Sequence, residues 1–159
     1  GERSQDRDRR AFHRTRAPRD GSVRYRERER GDGLRRREQF LKQHADALFI
    51  DCRSEMEYLF VGHPVGAQHV AWNDGPEWAV NPHFVGQVKK LAGTNHATRP
   101  IVLICRSGNR SREAGEELER AGFTQVFNVL HGFEGELNDH HQRNSLAGWR
   151  FEGLPWEQC

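Results

Sequence analysis

The stretch Ile101–Phe123, IVLICRSGNRSREAGEELERAGF, restricts the fold of this chain more than any other. Pro100 precedes four apolar residues, Ile101 to Ile104, and a short apolar run bounded by proline reads as a buried strand. Cys105 follows at the strand's carboxyl end. Arg106, Ser107, Gly108, Asn109 and Arg110 make a tight polar loop. From Ser111 to Ala121 the pattern turns helical, with Ala114 and Leu118 four residues apart on one side, and Gly122 closes the helix. Ligands of open α/β sheets bind outside the carboxyl ends of the strands, where Cys105 lies. A loop running into a helix start turns backbone N–H groups inward and adds the positive end of the helix dipole. A sulfur there is favoured as the thiolate, the nucleophilic form. Arg106 and Arg110 add cations suited to an anionic substrate. The alternative is a buried cysteine that only packs.

The loop Cys105-Arg106-Ser107-Gly108-Asn109-Arg110 resembles the six-residue active-site loop of rhodaneses, the thiosulfate sulfurtransferases. The resemblance implies that Cys105 removes the outer sulfur of thiosulfate, releases sulfite, and passes the sulfur from a persulfide to cyanide, a thiol or a sulfur-carrier protein. It implies substrate-binding roles for Arg106, Ser107, Gly108, Asn109 and Arg110, and no cofactor. Asp51-Cys52-Arg53, closing the apolar run Ala47–Ile50, is similar to the family's Asp-x-Arg strand end, with Asp51 and Arg53 as supports. Gly62-His63-Pro64-Val65-Gly66-Ala67 is similar to its turn into a short strand. His131-Gly132-Phe133-Glu134-Gly135 resembles its glycine-rich turn, with Phe133 as a pocket wall and Ser111 a further support. The likeness runs from about Leu34 to Trp156.

Ser54 and Glu57 have the spacing of a capping box, so a short helix is expected over 54–59. Phe84, Val88 and Leu91 have helical spacing, and Thr124–Leu130 reads as a strand. Trp78 lies in a loop long enough to cover a pocket rim. Cys52 reads as a small core residue; a redox partnership with Cys105 stays open, because spacing alone does not bring two cysteines within disulfide range. Cys159 reads as an exposed thiol. His63, His69, His140 and His141 lack clustered carboxylates or cysteines, so no metal site is expected.

Charge divides the chain of 159 residues. Residues 1–37 hold 14 Arg against 7 acids, whereas the remainder holds 11 basic against 16 acidic residues. Residues 1–33 bury too little apolar surface to offset their ordering entropy and read as a disordered tail. A solvated tail, a polyanion contact and a contact with an acidic protein face all fit; interleaved Asp6, Asp8, Glu27 and Glu29 argue against specific nucleic-acid binding. A separate amphipathic helix is expected over about 34–45, with Leu34, Phe40 and Leu41 inward. No run is long enough to span a bilayer, and no secretory segment is visible. Three widely spaced cysteines make no disulfide framework, so a reducing, cytoplasmic setting is expected. Oligomeric state has no sequence signal.

Strands alternating with helices predict an α/β domain at 34–159: about five mostly parallel strands with helices on both faces, in keeping with a rhodanese-like fold. Two other functions use similar parts. A carrier module would relay sulfur with poor turnover of thiosulfate. A phosphatase or arsenate reductase resembles a pattern with five residues between Cys and Arg, whereas Arg110 leaves four and Arg112 six, with Ser111 at the position in question. Arg106 favours the dianion thiosulfate over mercaptopyruvate.

Overall fold

The computed structural model describes residues 12–14 (as backbone), 40 and 43–159. Four short strands run parallel: β2 (Leu48–Asp51), β4 (Gln68–His69), β5 (Ile101–Ile104) and β6 (Val126–Val129). A fifth, β1 (Phe12–Arg14), pairs antiparallel with β6, and the sheet order is β1-β6-β5-β2-β4. A separate two-stranded sheet joins β3 (His63–Pro64) to β7 (Trp156–Glu157). The helices are α1 (Phe84–Ala92) and α2 (Asn109–Arg120).

All residues of β5 and β6 are buried, because chain packs on both faces. Alternation sorts their side chains. Leu48, Ile50, Ile101, Leu103 and Val126 face the same core as Phe84 and Val88 of α1 and Ala114 and Leu118 of α2. Val102, Ile104, Phe127 and Val129 face a second core with Phe40, Phe133, Trp149 and Leu154. Phe40 and Gln43 are helical, so helical chain lies on this face too, beside the irregular C-terminal segment. Burying each of these aliphatic side chains is worth about 1.5–3 kcal/mol.

Strand β1 lies inside the stretch expected to lack order. Its pairing needs only backbone N–H and C=O groups against the open edge of β6, so no side-chain period announces it. The rest of residues 1–33, together with Leu34 and Leu41, falls outside the described residues, and the boundary at 34 with it.

Helix α2 starts at Asn109 rather than Ser111, which places Arg110 and Ser111 in its first turn. Its end is a Schellman motif: Phe123 N–H donates to Leu118 C=O and Gly122 N–H to Glu119 C=O, both at 3.1 Å. In α1 the inward residues are Phe84, Val88 and Ala92, while Leu91 is 38% exposed. The expected helix near Ser54 widens into a π-helix, Glu57–Val61, closed by Gly62 N–H on Glu57 C=O. Trp78 is no core aromatic: it is 51% exposed. Among the described residues no helix is long and apolar enough to cross a membrane.

Candidate active site

Strand β5 delivers Cys105 to the sheet's carboxyl edge, and the chain turns at once into α2. Gly108 makes this turn possible, with φ of 110° at the helix N-cap, a region that L side chains rarely adopt. Its N–H donates to Cys105 Sγ at 3.1 Å. The Ser111 hydroxyl, in the first turn of α2, lies 3.1 Å from the same sulfur. Sulfur at a helix N-terminus thus meets a backbone donor, a hydroxyl and the positive end of the dipole.

The hydroxyl has a second neighbour. Ser111 Oγ is 2.5 Å from Asn128 Oδ1 on β6, and Asn128 Nδ2 donates to Gly108 C=O at 3.1 Å. The second bond fixes the amide orientation, with oxygen toward Ser111. Ser111 has one proton and two acceptors, so it serves the sulfur or the amide at any moment. Asn128 therefore ties the loop's glycine and the sulfur's hydroxyl partner to one strand position. A polar residue in the apolar run Val126-Phe127-Asn128-Val129 is the sequence signal that marks it.

Arg110 does not project as a free cation. Its Nη1 and Nη2 donate to Glu57 Oε1 and Oε2 at 2.7 and 2.8 Å, a fork-to-fork pair. Ser54 Oγ also meets Glu57 Oε1 at 3.0 Å, and Glu57 N–H donates to Ser54 Oγ at 3.3 Å, so the capping box and the ion pair share one carboxylate. Burial pushes the Glu57 carboxyl up; the Arg110 bonds and charge, with Ser54, outweigh it and bring the group down to about 2. Burial likewise opposes the Arg110 charge, and Glu57 more than restores it, holding the guanidinium above its ordinary value. The expected forked grip of Arg110 is thus spent inside the protein, on a residue read only as a helix cap. Arg106 is exposed and has no ion pair among the described residues; Asn109 is exposed, Ser107 half-buried.

Cys105 is 1% exposed, so its sulfur lies beneath the loop rather than open to bulk water. Behind it sits Phe133, whose N–H donates to Cys105 C=O at 2.8 Å. Gly132, with φ of 65°, permits this approach: a Cβ there would meet Cys105 O at 2.5 Å and Arg106 C at 2.7 Å. Phe133 is fully buried, with the Arg53 guanidinium 4.4 Å from its ring centre. Arg53 and Asp51 are both fully buried and bonded, Arg53 Nε donating to Asp51 Oδ1 at 2.9 Å. Arg53 Nη2 also donates to Gly62 C=O, which links the β2 end to the π-helix. His69 Nε2 lies 2.7 Å from Arg53 C=O and His63 Nδ1 2.8 Å from Tyr58 C=O. Among the described residues no three or more His, Cys, Asp or Glu side chains gather as a metal would require.

Residues 37–138 match the model of the rhodanese-like domain. The chain belongs to the rhodanese-like family. The crystal structure of Rv0390 from M. tuberculosis, 35% identical, superposes with a TM-score of 0.66 over 79% of this chain and 94% of that one. The uncharacterized protein RP600 of Rickettsia prowazekii is 35% identical over 115 residues, 70% of this chain and 84% of its own length. Thiosulfate sulfurtransferase 16, chloroplastic, of Arabidopsis thaliana is 31% identical over 109 residues, 67% of this chain and 77% of its own. Within this rhodanese-like domain the cysteine loop, Asn128 and the Arg110–Glu57 pair form one connected site.

Proposed function

We propose that the chain is a sulfurtransferase that carries the sulfane sulfur of thiosulfate, or of a related persulfide donor, on Cys105. The observation that carries this reading is the placement of Cys105 Sγ against the Gly108 N–H and the Ser111 hydroxyl, both at 3.1 Å, at the head of α2. A relative named as a thiosulfate sulfurtransferase supports it. The Cys105 thiolate attacks the outer sulfur of thiosulfate, the S–S bond breaks, and sulfite leaves with its electron pair. The persulfide is an anion, and the N–H and hydroxyl that face Sγ suit it. A thiol, cyanide or sulfur-carrier protein then takes the outer sulfur and regenerates the thiolate. Arg106, Ser107 and Asn109 rim the loop and hold the donor; Arg110 acts through Glu57 by fixing the first turn of α2. Asp51, Arg53 and Phe133 support the loop from below. With Cys105 1% exposed, the donor reaches its sulfur only once the atoms covering it give way. Three free thiols, at Cys52, Cys105 and Cys159, fit a reducing, cytoplasmic setting.

Cys105's burial favours a second reading, a carrier module loaded by a partner protein and slow with free thiosulfate. A phosphatase is disfavoured, because four rather than five residues separate Cys105 from Arg110, and Arg110 is already held by Glu57. Thiocyanate formation from thiosulfate and cyanide tests the first reading. Turnover lost in Cys105→Ser supports it; no turnover, with sulfur accepted from a protein persulfide, supports the carrier; hydrolysis of a phosphotyrosine analogue contradicts both.

A further inference from the structure

Strands β2 and β5 run parallel in the register Leu48↔Ile101, Phe49↔Val102, Ile50↔Leu103, Asp51↔Ile104. The ladder continues one step, since Cys52 N–H donates to Ile104 C=O at 2.9 Å. The next residues on the two strands are Cys52 and Cys105. Alternation puts both side chains on the α-helical face, in one buried cluster, with Cys52 fully buried. The Cys52 thiol donates to the same Ile104 carbonyl at 3.3 Å, one residue before Cys105. Neighbouring strands lie about 4.8 Å apart, within the roughly 4.4–6.8 Å Cα separation that a disulfide spans.

We propose that Cys52 resolves the Cys105 persulfide when no acceptor takes its sulfur, releasing hydrosulfide and closing a Cys52–Cys105 disulfide. The inference rests on the sulfurtransferase reading, because the persulfide is the oxidant. The Cys52 thiolate attacks Cys105 Sγ, the inner sulfur. The bond from Sγ to the outer sulfur breaks, and hydrosulfide leaves with the electron pair, taking up the proton that Cys52 has lost. The outer sulfur is reduced to sulfide as the two cysteine sulfurs are oxidised, so no further oxidant is needed. Two equivalents of thiol, or one dithiol, reopen the site. The inner sulfur is the target because Cys52 stands beside it, whereas the outer sulfur extends into the loop.

The environment sets the timing. Burial, with Cys105 and Asp51 beside it, pushes the Cys52 thiol well up, against Arg110 and Arg53. The attacking thiolate is scarce at neutral pH, which leaves the persulfide time to meet an acceptor. Resolution accelerates as pH rises. A protein left without acceptor thus empties its sulfur and closes its nucleophile against further oxidation.

The test uses the reduced 159-residue chain without oxygen, given one equivalent of thiosulfate and no acceptor. Sulfite, hydrosulfide and peptide masses are followed in the wild type, Cys52→Ala and Cys52→Ser. The wild type is expected to release sulfite, then hydrosulfide, and to yield peptides cross-linked through Cys52 and Cys105. The variants release sulfite but no hydrosulfide and keep one added sulfur atom on Cys105. Sulfite without hydrosulfide from the wild type overturns this inference alone, as does sulfur on Cys52 or a cross-link through Cys159. No sulfite from any chain overturns the sulfurtransferase reading and this inference with it. The wild-type peptide map decides the matter even where a variant fails to fold.

Discussion

Arg110 and Glu57 meet through two parallel hydrogen bonds of 2.7 and 2.8 Å, joining the first turn of α2 to the π-helix. The pair turns a loop arginine from a substrate clamp into a strut. It also makes the site's frame dependent on the charge of one carboxylate.

Glu57 therefore couples stability to acidity. Its folded value, about 2, lies below its ordinary 4.5, so its contribution is complete above pH 4.5 and is lost as pH falls toward 2. Glu57→Gln is expected to lower stability at neutral pH by about 3 kcal/mol and to flatten the dependence in that window. Urea unfolding across that acidic range, with both chains compared, checks it. An unchanged slope in the variant would show that other groups govern acid sensitivity.

Ser111 is expected to matter to chemistry more than to folding. Ser111→Ala removes the hydroxyl that faces the sulfur; against the anionic persulfide of the proposed reaction that bond is worth about 1.5–3 kcal/mol, so thiosulfate turnover should fall roughly ten- to a hundredfold. Asn128→Leu releases the Gly108 carbonyl and should lower turnover as well, with Cys105 itself unchanged. Full activity in Ser111→Ala would remove the hydroxyl from the account of the sulfur.

Arg106 carries the exposed charge of the loop. Arg106→Ala is expected to raise the KM for thiosulfate by about tenfold and to alter that for mercaptopyruvate less, because a dianion loses more than a monoanion. Steady-state rates with both donors and cyanide decide it. A larger loss with mercaptopyruvate would reverse the substrate preference proposed here.

Gly132→Ala sets a methyl group against the Cys105 carbonyl at 2.5 Å and holds an alanine at φ of 65°. The left-handed backbone alone costs about 1–2 kcal/mol, and the clash adds to it. Lower thermal stability together with reduced activity is expected. A normal melting temperature would mean that the turn retreats from the cysteine at little cost.

Much of this was legible in the sequence. The strand Ile101–Ile104, the cysteine at its end and the helix closed by Gly122 are local patterns, and local patterns survive into the fold. The Ser54–Glu57 box formed as its spacing dictates. The second partner of Glu57 was not legible, because Arg110 lies 53 positions further on and only the packed sheet brings them together. Asn128 was visible as a polar residue in an apolar strand, but its target required the register of β5 against β6. Cys52 read as core, which it is; its adjacency to Cys105 follows only from how β2 pairs with β5. Strand β1 carried no pattern, since its contribution is backbone hydrogen bonding.

The most direct test of Cys105 as the sulfur carrier is a burst measurement without acceptor. Wild-type chain mixed with excess thiosulfate is expected to release about one equivalent of sulfite per chain at once, as one thiolate takes one sulfur. Cys105→Ser should release none. No burst from the wild type, or an equal burst from Cys105→Ser, would contradict the assignment.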